Sequence, residues 1–216
     1  IGGLMTSGPT DPIYDPFIKE TFTQPSHEKA QAYGYTLANS VIDAFHAGEF
    51  YPSPEPKLNV SALEVELGIE NFMLSLGTLL GIIDSDPKLN FRPPFIRYLS
   101  EVAFIELGDA TITGIPGELY PEIAVGGIEN PQGADYIMAA QEVPHLRSQL
   151  PGKLNLMVNL ANDAIGYIIP KSEWDNEAPW IYDEKGETYG EVVSLGPNTG
   201  PIIHQNIIKL IEQSKN

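Results

Sequence analysis

Apolar positions recur along the chain in two rhythms. From His27 to about His46 they fall three or four apart, at Ala30, Tyr33, Leu37, Val41 and Ala44–Phe45, which predicts one amphipathic helix. Ser26 stands where a side-chain oxygen caps the first turn, and Gly48 stands where the helix stops. Leu63-Glu64-Val65-Glu66-Leu67 alternates with period two, the pattern of a half-buried strand with its glutamates in water. Tyr98 to Glu106 and Ala110 to Ile115 are β-rich and flank Gly108-Asp109, which predicts a hairpin. Lys153 to Leu160 is an apolar run bounded by Pro151-Gly152 and Asn162-Asp163, which is consistent with a buried central strand. Phe72 to Ile83 is apolar with no decisive period, and reads equally as helix or buried strand. At the other end, Thr199 reads as the cap of a final helix with Pro201 in its first turn and Ile203, Ile207, Leu210 and Ile211 on its inner face.

Between these elements the chain is punctuated by breakers. Gly8-Pro9, Asp11-Pro12, Asp15-Pro16 and Gln24-Pro25 mark residues 1–25 as loop, and Pro52, Pro54 and Pro56 force an extended connector. Gly114-Ile115-Pro116-Gly117-Glu118 is a tight turn, after which Leu119 to Val125 reads as a short helix. Residues 126–152 read as irregular, and 170–200 as a long loop carrying Trp174, Trp180, Tyr182 and Tyr189. Strands and helices interleave without an internal repeat. The expected class is a mixed α/β fold, a layered sheet with flanking helices.

Composition narrows the function classes. At 216 residues and 42% hydrophobic content the chain can bury a sizeable core. Twelve Lys+Arg stand against 29 Asp+Glu, a net charge of −17 that repels nucleic-acid phosphates and anionic lipid headgroups. No nucleic-acid partner is expected. The absence of cysteine removes disulfides, thiolate metal sites and cysteine nucleophiles from this chain. The longest apolar run is broken by Ser75, Gly77, Thr78 and Gly81 and falls short of the ~20 residues a membrane span needs, so no transmembrane segment is expected. No secretory leader is legible. The opening Ile1-Gly2-Gly3-Leu4-Met5 is apolar from the first residue, which predicts that the chain continues a larger protein, with residues 1–216 a single segment of it.

Candidate chemistry is sparse. His27, His46, His145 and His204 show no metal-ligand spacing, and no nucleophile elbow, phosphate loop or dinucleotide fingerprint occurs. Glu118 follows a strand and a Pro-Gly turn, a position where open α/β sheets carry ligands. Glu122 lies four residues on, where both carboxylates could share a helical face, and an ordinary acidic helix start accounts for that pair as well. Tyr167 follows the Asn162-Asp163 strand end, where a tyrosine commonly packs its ring and solvates its hydroxyl. The aromatic stretch from Trp174 to Tyr189 either walls a pocket or anchors a surface loop.

Three segments resemble, in order, the second half of the catalytic domain of the neutral/alkaline (non-lysosomal) ceramidase family. They are Ile105-Glu106-Leu107-Gly108-Asp109 through Ile115-Pro116-Gly117-Glu118; Asn159-Leu160-Ala161-Asn162-Asp163 with Gly166-Tyr167-Ile168; and Tyr189 through Ser194-Leu195-Gly196-Pro197-Asn198-Thr199. Residues 1–10 and the helix after Ser26 resemble that domain's middle. The resemblance implies a zinc ion held by Glu118 and Tyr167, with two histidine ligands supplied upstream of Ile1. It places a further tyrosine, near the substrate amide, on Tyr189. It implies zinc-dependent hydrolysis of an N-acyl bond in a small-molecule or lipid-like acyl amide, in a secreted or periplasmic protein completed by the missing N-terminal half. Where the family has an Asn-x-Gly-x-Leu-Ser segment, Ile1 to Thr6 align, and the serine's place is held by Met5 with Thr6 beside it. That departure leaves an inactive ceramidase-like binding or envelope protein as the alternative, and a stand-alone acidic binding domain as a third reading.

Overall fold

The computed structural model describes residues 11–48, 57–83, 87–181 and 188–215. Met5, Thr6, the Pro52–Pro56 connector and Tyr182 lie outside them. The chain divides into two compact units, one within residues 5–54 and one covering 55–216.

In the first unit, strands β1 (Ile13–Asp15) and β2 (Glu20–Phe22) pair antiparallel. The breaker-rich opening thus holds a hairpin where the sequence reads as loop. Its turn is held by the Asp15 carboxylate, which accepts the amides of Phe17 at 2.8 Å and Ile18 at 3.2 Å. Helix α1 runs His27–Ala47, with the Ser26 hydroxyl accepting the Lys29 amide and Gly48 closing it in the left-handed region. Its apolar stripe is another matter: Leu37, Val41 and Phe45 are exposed.

The second unit is built on a sheet ordered β3-β5-β6-β8, with β4 also on β5. Strands β3 (Leu58–Gly68), β4 (Lys88–Leu89), β5 (Ile96–Leu107) and β6 (Ala110–Gly114) are antiparallel neighbours, whereas β8 (Leu154–Val158) runs parallel to β6. The β5–β6 hairpin turns on Gly108-Asp109, with Gly108 at φ +58°. Helix α5 (Thr199–Ser214) packs on β3 and β5, burying Ile203, Ile207, Leu210 and Ile211 against Val65, Leu67, Val102 and Phe104. Its N-cap position is Asn198, so Thr199 is the first helical residue. Mixed α/β layering is therefore the fold class, a five-stranded sheet with flanking helices.

One expectation is corrected and one open reading is settled. Strand β8 pairs only with β6 among the described strands, so it forms an edge and is not a buried central strand. Of its apolar residues only Met157 is buried, because alternate side chains point to opposite faces and only the Met157 side joins the core cluster. The uncovered face is apolar too: Leu58, Val60, Leu107, Leu154, Leu156 and Val158 share it by register and all are exposed. Phe72 to Leu79 resolves as helix α2, capped by Asn71, whose carboxamide oxygen accepts the amides of Met73 and Leu74. Phe72, Met73 and Leu79 on it are exposed, so this run is apolar without being core.

Beyond β6 and β8 the chain bends and pairs again as the short parallel strands β7 (Glu118–Leu119) and β9 (Tyr167–Ile168). Helix α3 (Pro121–Val125) follows β7 at once. Residues 126–152 are irregular apart from a 3-10 turn at Leu146–Gln149. The stretch read as a long loop contains a 3-10 turn at Lys171–Glu173 and the short helix α4 (Tyr189–Val192). No helix of the described residues is long and apolar enough to cross a membrane.

Candidate functional site

Glu118 and Tyr167 are direct cross-strand partners in the β7–β9 pair. The pairing is local and strong: the Glu118 amide donates to the Gly166 carbonyl at 2.9 Å, and the Tyr120 amide to the Ile168 carbonyl at 3.1 Å. Residues opposite one another on neighbouring strands point to the same face, so the carboxylate and the phenol project together. Glu122 does not join them as a helical neighbour. Pro121 starts α3 and holds Tyr120 extended, leaving Glu118 in the strand and Glu122 in the helix.

Tyr189 enters from α4. Its ring lies 5.7 Å from that of Tyr167, edge to face, and the Tyr167 amide donates to the carbonyl of Val193, the residue that ends α4, at 3.3 Å. Gly166 makes this approach possible. It sits at φ +86°, and a β-carbon there would run into the Val193 carbonyl. Glu118, Tyr167 and Tyr189 thus occupy one place, half-buried at the strands and 71% exposed at Tyr189.

Electrostatics within the group follow from its composition. Burial pushes the Tyr167 phenol above its ordinary value, and the nearby Glu118 carboxylate and Tyr189 hydroxyl push it further, both by charge and by hydrogen bonding. At neutral pH the phenol therefore keeps its proton, with no described cation against it. Among the described residues no three His, Asp or Glu side chains converge as a metal cluster. The four histidines lie elsewhere: His27 and His46 at the two ends of α1, His145 capping the Leu146 turn through the Ser148 amide, and His204 buried on α5 against the Pro144 carbonyl at 2.8 Å.

Tyr120 is a member that the sequence reading passes over. Its ring lies 6.0 Å from Tyr167, and its hydroxyl abuts Gly190 of α4, where a β-carbon would collide with it. Its phenol is driven well above its ordinary range by burial first, then by Glu191, Tyr167 and Glu122. One signal was available: residues two apart on a strand share a face, and Tyr120 is two beyond Glu118.

Behind the tyrosines lies a set of buried carboxylates used as backbone acceptors. Glu142, fully buried, takes the Lys171 amide at 3.0 Å and the Gln141 amide at 3.2 Å. Glu173, 8% exposed, takes the Glu129 amide at 2.6 Å. Glu191 takes the Asp175 amide at 3.2 Å. Desolvation raises the Glu173 carboxyl to about 7, with Glu122, Glu129 and Glu142 adding repulsion. These bonds pin the irregular 126–152 segment to the 171–175 turn. Nothing in the local sequence distinguishes these acids from solvated ones.

Comparison with known proteins matches no family model and none of the curated proteins. Among solved structures, neutral ceramidase from Pseudomonas aeruginosa is similar to this chain with a TM-score of 0.37 at 11% identity. The likeness covers 72% of this chain and 29% of that one, so this chain spans less than a third of its length.

Proposed function

We propose that this chain supplies half of the metal site of a zinc-dependent hydrolase related to neutral ceramidases, acting on an N-acyl amide. The observation that carries the reading is the cross-strand pairing of Glu118 with Tyr167, joined by Tyr189. Resemblance in the sequence singles out the same three residues. A carboxylate and a phenol side by side are two oxygen donors of the kind a divalent ion takes, and their mutual repulsion when ionised is relieved by a cation between them. Two donors fit half of a tetrahedral site. In this reading the remaining two are histidines of the segment preceding Ile1, and the uncovered apolar face of the sheet packs against that missing half.

Bound zinc would supply Lewis acidity toward the acyl carbonyl and toward water. The chain's own groups do the rest. Glu118 contributes a negative charge fixed by the β7–β9 hydrogen bonds. Tyr167, whose phenol is held protonated by burial and by Glu118, would give up its proton in order to serve as a ligand. Tyr189, the most exposed of the three, donates a hydrogen bond to the acyl group from the solvent side. The Tyr120 ring closes the inner wall and keeps water off Tyr167.

The test uses the protein together with the segment that precedes Ile1. We expect one zinc per chain by elemental analysis and turnover of an N-acyl amide. Glu118→Gln should lower zinc affinity more than about 100-fold, and Tyr167→Phe should also weaken it, with the far-ultraviolet circular dichroism of both unchanged. A well-folded, metal-free wild type sinks the reading. Stoichiometric zinc without turnover would favour the binding alternative that Met5, in the serine's place, suggests.

A further inference from the structure

Helix α4 is a single turn, and its N-cap residue Thr188 makes no side-chain cap bond. One turn does not hold itself in water, because the cost of nucleating a helix is recovered only through further turns or outside partners. The last carbonyls of a helix also need partners from beyond it. Here they meet one side chain. The Asn71 carboxamide nitrogen donates toward the carbonyls of Val192 at 2.9 Å, Ser194 at 3.2 Å and Glu191 at 3.4 Å. Beside it the backbone amides of Glu70 and Asn71 both donate to the Leu195 carbonyl, at 2.8 and 3.1 Å.

The other end of the same carboxamide has a separate task. Its oxygen accepts the Met73 and Leu74 amides at 3.0 and 3.2 Å and so caps α2. A cap needs only an oxygen, which aspartate and serine supply as well as asparagine does. The grip on α4 needs the two amide hydrogens. Aspartate has none, and serine has one hydroxyl hydrogen on a side chain one bond shorter.

What α4 presents is Tyr189. Its side chain is 71% exposed, and its ring meets that of Tyr167 edge to face at 5.7 Å. A side chain so exposed has little burial to fix it, so its place follows from the turn that carries it. Three contacts hold that turn: the Tyr120 hydroxyl against Gly190, the Tyr167 amide on the Val193 carbonyl, and Asn71 on the carbonyls at its end.

We propose that Asn71 is a positioning residue: by gripping the end of α4 it holds Tyr189 beside the Glu118–Tyr167 pair, and so sets where the acyl group of the substrate meets its hydrogen-bond donor. The role toward substrate rests on the zinc-hydrolase reading, whereas the placement of the ring does not.

Placement is read in the protein with ring-labelled tyrosine, from the nuclear Overhauser cross-peak between the Tyr167 and Tyr189 rings, assigned with Tyr189→Phe. Asn71→Asp and Asn71→Ser keep an oxygen for the Met73 and Leu74 amides. Helix α2 should therefore retain its hydrogen-exchange protection while the cross-peak falls below half of its wild-type intensity, and the uncharged serine decides where the two variants differ. Wild-type intensity overturns the proposal. So does loss of α2 protection together with the cross-peak, which would make Asn71 a cap and nothing more. With the segment that precedes Ile1 present, kcat should fall at least tenfold in Asn71→Ser while zinc content and KM stay within twofold. Asn71→Ser/Tyr189→Phe should be no slower than Tyr189→Phe, and a loss that adds to that of Tyr189→Phe overturns the positioning role. A wild type without zinc or turnover removes the zinc reading and the role toward substrate with it, while the cross-peak still decides the placement.

Discussion

The Glu173→Gln substitution offers a direct reading of the buried acidic set. Folded Glu173 titrates at about 7 against an ordinary value of 4.5, chiefly because burial penalises its charge and then because Glu122, Glu129 and Glu142 repel it. The folded state holds this proton more tightly than the unfolded state does. Stability from this group is therefore complete below about pH 4.5 and is lost as pH rises through about 7. The interval between those two values, at about 1.36 kcal/mol per unit, amounts to roughly 3 kcal/mol. Glutamine keeps an oxygen for the Glu129 amide and cannot ionise. Urea unfolding of wild type and variant from pH 5 to pH 8 isolates the effect, because every other titration is common to both. The stability of Glu173→Gln relative to wild type should improve by about 2 to 3 kcal/mol across that range. A carbon-detected titration of the Glu173 carboxyl gives the same quantity without unfolding. Parallel stability curves, or a carboxyl titrating near 4.5, would refute the reasoning.

Other consequences concern packing and backbone. Ile207→Ala empties a fully buried position between α5 and the sheet, which should cost about 3 kcal/mol and lower the melting temperature by on the order of 10 °C in calorimetry. Asn71→Ala removes the cap of α2 and the carboxamide bonds to the Glu191, Val192 and Ser194 carbonyls; a loss of about 1 to 2 kcal/mol is expected in urea titrations, and an unchanged midpoint would show that this clamp is idle. Gly166→Ala should destabilise by more than about 1 kcal/mol and change the near-ultraviolet tyrosine signal, since its β-carbon meets the Val193 carbonyl that ties Tyr167 toward Tyr189.

The sequence by itself determined the elements whose physics is short-ranged. Ser26 and Gly48 bound α1, Gly108-Asp109 turns the β5–β6 hairpin, the glutamates of Leu63–Leu67 face water, and the four predicted residues lie on the buried face of α5. Caps, tight turns and periodicities act over four residues or fewer, so they are written in adjacent letters. Whether an apolar run is covered depends on partners brought from far along the chain. That is why β8 is an edge, why α2 and the α1 stripe are exposed, and why one sheet face carries uncovered Leu and Val. The same distinction runs through the site. Glu118 and Tyr167 were each legible as strand-end residues, but their pairing arises from a parallel register, and the arrival of Tyr189, Tyr120 and the buried carboxylates from packing around it. A carboxylate's neighbourhood, and with it its charge at neutral pH, is a property of the folded chain, because desolvation and repulsion are set by atoms distant in sequence.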